Sequence, residues 1–286
     1  MSTALPSIDT GRRRLEAGVL VVGDSKLCDL HIRAWNLSGV RAERLSEKRG
    51  FRNSAVDTFV DICESNNQAR ANLIEKAIRS RMKTILVGPI SSNFKFSEYV
   101  LSEAKKRKDR IVLLNPMTHH PLLTNALTAI SNGSIGIPRI LRIESKNLDK
   151  DLSGYSLFQG LFDGISALEI LLGRIRTKKL FSRKVMTDNS IFYVSLLDLE
   201  DGSVCHLVSG TSSLENKLEF SVNGTGGLIT FNKSDALSSS FRSGLLRSTN
   251  QVELLFHTFF GFLKNGTDDQ SHDLYRVANM IEKSAS

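Results

Sequence analysis

Cysteine is scarce in this chain: three residues, Cys28, Cys63 and Cys205, among 286. The number is odd and the spacings unrelated, so there is no disulfide framework, and without a CxxC pair there is no zinc pattern; a reducing cytoplasm is the expected compartment. Also missing is any apolar run of the roughly 20 residues that a membrane-spanning helix requires. The stretch Met1 to Glu16 carries Arg12, Arg13 and Arg14, but the apolar segment after it is short and reads as a buried strand, not a signal peptide. Repeats are absent, and the single low-complexity patch is Ser238 to Ser240. What remains is a composition of 41% hydrophobic and 24% charged residues, which supplies a core and excludes a disordered chain.

The formal charge of +8 raises the question of a polyanionic partner. Its densest runs are Lys105 to Arg110 and Arg174 to Lys184. No aromatic residue interleaves with the first run, which sits at the end of an expected helix, where cations complement the helix dipole. The reading is a solvated face, and nucleic acid is set aside as a partner.

Gly18-Val-Leu-Val-Val22 is a continuous apolar run ending at Gly23, as in a strand buried on both faces of a parallel sheet. Leu27, Leu30, His31, Ala34 and Trp35 then recur at helical spacing. Val40 to Ser46, Val56 to Cys63, Thr84 to Val87 and Arg110 to Leu114 read as strands, separated after the second by helices Gln68 to Arg81 and Ser97 to Lys108. This alternation predicts right-handed crossovers and a doubly wound parallel sheet. From the helix Leu122 to Ser131 onward the character changes. Strands Arg139 to Lys146, Ser190 to Leu199, Val204 to Ser212, Lys217 to Val222 and Leu228 to Phe231 dominate, with turns at Asp201-Gly202 and Asn223-Gly224. Helices Leu157 to Leu172, Gln251 to Lys264 and His272 to Lys283 complete an α+β domain with an open, mostly antiparallel sheet. The expected division is a tail (1–17), a first domain (18–118) and a second (119–286).

Several segments resemble one family. Gly23, His31, Ile32 and Ala34 match an opening of the form GxGxxG or GxGxxA followed by HxPA. Asp61-Ile-Cys63 with Asn66 resembles an ICTPN strand end, and Val87-Gly88-Pro89 falls where Glu-Lys-Pro is expected. Ser131-Asn-Gly133-Ser-Ile-Gly136, Leu199-Glu-Asp-Gly202 and Val222-Asn-Gly224-Thr-Gly-Gly-Leu228 resemble later turns. In order and spacing, over residues 18 to 285, the chain resembles the Gfo/Idh/MocA family of glucose–fructose oxidoreductase and inositol dehydrogenase. The resemblance implies a shortened Rossmann-like domain followed by an α/β domain with an open sheet.

It also points to a cofactor site at Gly23, Ser25, Cys28, Glu47 and Asn66. A dinucleotide turn needs glycine for the bend, for approach of the pyrophosphate and for helix–strand packing. Here Ser25 and Cys28 replace the second and third, and Asp24 adds a charge that repels phosphate. Glu47 stands where the family has its ribose-binding acid, followed by Lys48 and Arg49, although the solvated-strand-end reading is preferred for all three. Only about ten residues separate Glu47 from the next strand, which leaves no room for the family's third strand and places Val40 to Ser46 at the sheet edge.

The catalytic positions depart further. Gly88 replaces the lysine that would act on the substrate oxygen, and Ser166 replaces the acid/base histidine, with Glu169 at the aspartate position. Asp163 lies one residue out of register with another family aspartate, so no role passes to it. His119 and His120 are candidates for a displaced acid/base at the interdomain cleft, with a hydrogen-bonded linker pair as the preferred reading; His206, His257, Lys83 and Lys95 are assigned none. No catalytic residue and no metal ligand is assigned. The expectation is a degenerate, non-catalytic relative that binds a small ligand or partner protein and forms homo-oligomers through the open sheet. The alternative is an NAD(P)-dependent oxidoreductase of a sugar-like substrate with displaced catalytic groups. NAD(P) is the one cofactor the cleft suggests.

Overall fold

The computed structural model describes residues 18–45, 58–107, 110–149, 154–173, 175–214, 217–231, 251–265 and 272–285. Glu47, Lys48, Arg49 and the Ser238 to Ser240 patch lie outside them.

The first sheet contains β1 (Val19–Gly23), β2 (Ala42–Arg44), β3 (Phe59–Cys63), β4 (Lys83–Val87) and β5 (Ile111–Leu114), all parallel in the order β2-β1-β3-β4-β5. The polar strand β2 is at the edge, as its composition requires. Helices α1 (Ser25–Leu37), α2 (Asn67–Arg79) and α3 (Phe94–Lys106) connect with this sheet, each started by a side-chain cap from Asp24, Asn66 or Asn93. The Asn93 cap begins α3 three residues before the expected Ser97.

A 3-10 turn (Pro116–His119) and α4 (Pro121–Ser131) lead to the second sheet. Its strands are β6 (Pro138–Leu148), β7 (Thr177–Thr187), β8 (Ser190–Leu199), β9 (Val204–Ser212), β10 (Lys217–Gly224) and β11 (Leu228–Phe231). They lie in the order β11-β10-β6-β9-β8-β7, antiparallel except for the β6–β9 pair. One strand is added to the expected set here, and one expected turn is corrected. The basic run beginning at Arg174 is largely strand β7, an edge strand on which Lys178, Lys179, Arg183 and Lys184 are exposed. The second turn falls after Asn223-Gly224: Asn223 pairs with Leu228, and Gly224 N–H closes on Gly227 O at 2.8 Å.

One face of this sheet is covered by α5 (Gly154–Leu172), over β6 and β9, and by α7 (His272–Ser284), over β7 and β8. The approach of α5 is set by glycine: a Cβ on Gly160 would lie 1.7 Å from Gly210 O. Between α5 and α7 in sequence, α6 (Gln251–Asn265) crosses back to the first sheet. Its Val252, Leu255 and Phe259 share a core with Val19, Val21 and Trp35, and Phe259 stacks on Trp35 with ring centroids 3.8 Å apart. A second core runs without interruption from Ile62 and Leu86 of the first sheet to Leu141, Phe162 and Tyr275. The two sheets are thereby joined by buried apolar contact.

Candidate functional site

In a doubly wound sheet, ligands bind beyond the carboxyl ends of the strands. Here that edge is formed by Gly23, Cys63, Val87 and the loops that follow. Gly23 has φ +134°, and a Cβ on it would lie 2.3 Å from Cys63 O, so only glycine makes this turn. Asp24 N–H donates to the same carbonyl at 3.0 Å.

Asp24 then does what Asp before a helix ordinarily does. Its Oδ1 accepts from Lys26 N–H at 2.9 Å and Leu27 N–H at 3.2 Å. These amides and the helix dipole are what make a helix start attractive to phosphate. On α1 they are already held by a carboxylate of the chain itself. Glu64, immediately after Cys63, accepts from Asn66 N–H at 2.9 Å. A dinucleotide pyrophosphate at this helix start would have to displace the Asp24 carboxylate from these amides.

The remaining expected cofactor positions are dispersed in role. Ser25 is exposed, and its carbonyl accepts from Arg44 Nη2 at 2.7 Å, while the same guanidinium nitrogen reaches Asp29 at 2.7 Å. Cys28 is fully buried, its sulfur 3.3 Å from that of Cys63. Asn66 caps α2, accepting from Gln68 and Ala69 N–H at 3.1 and 3.0 Å. Glu47 lies outside the described residues. Beneath the turn, Asp61 Oδ2 accepts from Trp35 Nε1 at 2.8 Å and lies 2.7 Å from His31 Nδ1, while Asp61 Oδ1 is buried without a partner.

At the end of β4, Gly88 has φ +74° and open space where a side chain would begin. The loop it belongs to is tied from several sides. Buried Arg70 donates to Ile62 O, Val87 O and Ile90 O at 3.0, 3.0 and 3.1 Å. Tyr155 O–H donates to Pro89 O at 3.4 Å, and Ile90 N–H donates to Tyr275 Oη at 2.8 Å. Burial pushes the hydroxyl of Tyr155 up from its ordinary range, with the nearby Arg70 guanidinium opposing the shift.

On α5, Ser166 is fully buried and its hydroxyl has no hydrogen-bond partner. Asp163, one turn earlier, accepts from Asn147 Nδ2 at 3.0 Å, and burial pushes its carboxyl up to about 7. A carboxyl in that range can hold or release a proton near neutrality. The two linker histidines do not stand out as an acid/base pair. His119 packs against Gly261 of α6, and burial lowers His120 to about 4, which keeps it neutral at physiological pH. His206 lies on the uncovered sheet face in register with Arg142 and Leu196, the His257 ring lies against Phe256, Lys83 lies over the Phe59 ring, and Lys95 is exposed.

Sequence reasoning passed over Arg70, the Asn147–Asp163 pair and the capping role of Asp24. The last had a signal, since Asp directly before a helical pattern is an N-cap signature. The first two depend on which strand ends meet which helix face, and no local pattern announces that. Among the described residues no group of three or more His, Cys, Asp or Glu could hold a metal ion, and no helix is long and apolar enough to cross a membrane.

No family model and no curated protein matches the sequence. Solved structures do match the fold. A probable dehydrogenase from Thermotoga maritima superposes with a TM-score of 0.68 at 15% identity, covering 93% of this chain and 96% of that one. An oxidoreductase domain protein from Kribbella flavida gives 0.71 at 13% identity, covering 94% and 96%. The scyllo-inositol dehydrogenase from Lactobacillus casei, solved with bound NAD(H) and scyllo-inositol, gives 0.66 at 13% identity, covering 94% and 96%. The resemblance read from the sequence is thus matched by architecture along nearly the whole chain, which has the two-domain fold of the Gfo/Idh/MocA-type inositol and sugar dehydrogenases.

Proposed function

We propose that the chain is a degenerate, non-catalytic member of the Gfo/Idh/MocA family that uses its two-domain scaffold to bind a small ligand or a partner protein. The observation that carries this reading is the Asp24 cap, a carboxylate seated on the amides that a dinucleotide phosphate would need. Gly88 and Ser166 support it, because neither offers a group able to pass a proton at neutral pH. Calorimetric titration of the purified protein with NAD(H) and NADP(H) at millimolar concentration tests it. The expected result is no binding tighter than about 100 μM, roughly 5.5 kcal/mol; tighter binding sinks the reading.

Asp163 favours a second reading, an NAD(P)-dependent oxidoreductase of a sugar-like substrate with displaced catalytic groups. Its carboxyl near 7, held by Asn147, is a group on α5 suited to acid/base work. Turnover of polyols with NAD(P), abolished by Asp163→Asn, would establish this reading in place of the first.

Association of identical chains through the uncovered face of the second sheet belongs to the same proposal. Phe181 and Leu196 pair across β7 and β8 on that face and are 68% and 45% exposed. A monomer by light scattering at micromolar concentration would count against it.

A further inference from the structure

We infer that Cys28 and Cys63 form an oxidisable dithiol site, closed to an intramolecular disulfide by a small hydroperoxide. The two sulfurs come from different elements, the first turns of α1 and the last residue of β3, and stand 3.3 Å apart. A disulfide is about 2.05 Å long, so closure asks for a relative movement of about 1.2 Å. Both are free thiols, and among the described residues they belong to no group of three or more His, Cys, Asp or Glu that could hold a metal ion. The pair is covered but close to the surface: Ser25 and Lys26, one turn from Cys28, are exposed, and Cys63 keeps 3% of its own exposure.

The two thiols are not equivalent. Cys63 donates to Cys28, which favours the thiolate on Cys28 and disfavours it on Cys63. Arg44, on the neighbouring edge strand, adds a positive field at Cys28, while burial, Asp61 and Asp24 oppose it. Cys28 is therefore the attacking sulfur. Its thiolate takes the terminal oxygen of hydrogen peroxide, the O–O bond breaks, and hydroxide leaves as water after protonation. Cys63 then attacks the Cys28 sulfur, the S–O bond breaks, and the second oxygen leaves as water. The balance is two thiols and one peroxide giving one disulfide and two waters. Cys205 offers an internal reference, since it is fully buried under α5 in the other sheet and burial pushes its thiol up to about 12.

The site does not depend on what the cleft binds, so a failed dinucleotide titration leaves it standing. The full chain is treated with hydrogen peroxide, unfolded in the presence of an alkylating reagent, and weighed intact and after digestion. Untreated protein should take three alkyl groups. Treated protein should take one, on Cys205, and yield a linked peptide pair containing Cys28 and Cys63. In Cys63→Ser the second step is removed, and Cys28 should accumulate as a sulfenic acid captured by dimedone. Three alkyl groups after oxidation, a link that includes Cys205, or a link between two chains would overturn the inference. The wild-type result decides even if the variant fails to fold.

Discussion

Two helices lie against two sheets in this molecule, and they do so by opposite means. Under α5 the contact is bare: Gly160 meets Gly210 backbone, and Gly164 meets the side chains of Leu207 and Ser209. Under α1 it is furnished with chemistry: two thiols, a buried carboxylate, an imidazole and an indole fill the space against β1 and β3. Glycine at the first seam permits close approach, and the second is filled by side chains gathered around Asp61 and the two thiols. The contrast separates a seam set by backbone approach from one set by side-chain hydrogen bonding.

The bare seam should be the less forgiving. Gly160→Ala places a methyl group inside the van der Waals radius of a backbone oxygen, so α5 must lift, at a cost of at least about 3 kcal/mol. Urea unfolding measures this, and a loss under 1 kcal/mol would break the comparison. The furnished seam is tested by Asp61→Ala, which leaves the Trp35 and His31 ring nitrogens buried without their acceptor, for a loss of about 3 kcal/mol. If this variant unfolds no earlier than wild type, the polar cluster is decoration and not structure.

A titration distinguishes the seams differently. The folded-state pKa of Asp163, about 7, lies above the ordinary carboxylate value near 4. Between those two values the folded protein holds a proton that the unfolded chain has released, so stability falls as pH rises through that window and levels off above it. Glu282, also raised by burial, adds a slope of the same sign. Asp163→Asn should remove the first contribution alone, leaving a variant more stable than wild type at pH 8 and nearly equal to it at pH 4. Unfolding midpoints at the two pH values read this out. The smallest effect belongs to Asp24→Ala, which frees two helix-start amides at a cost of about 1 kcal/mol. The same variant should take up inorganic phosphate or NAD(H) more tightly than wild type, by titration calorimetry. Equal affinity would mean that the cap is not what keeps anions away.

The architecture was largely legible because each element announced itself by period and punctuation. Gly18 to Gly23 reads as a buried parallel strand, and Asp201-Gly202 does close the β8–β9 hairpin, with Leu199 N–H bonded to Ser203 O. Strand β7 escaped because its alternation is masked by Lys178, Lys179, Arg183 and Lys184, which an edge strand tolerates. The side-chain pairings of the site were not legible. Gly88 and Ser166 could be placed by resemblance, whereas Asn147–Asp163 and Cys28–Cys63 arise from strand register and helix azimuth, which sequence spacing does not encode.

The bond from Ile90 N–H to Tyr275 joins residues 185 positions apart, and Phe259 seals the core beside Trp35 from the same late part of the chain. During synthesis the early sheet therefore emerges before the groups that finish it. Its five strands can pair as they leave the ribosome, yet the loop after β4 and the outer surface of α1 must wait for translation of α6 and α7. Completion of the first half of this protein is an event timed by the production of the second.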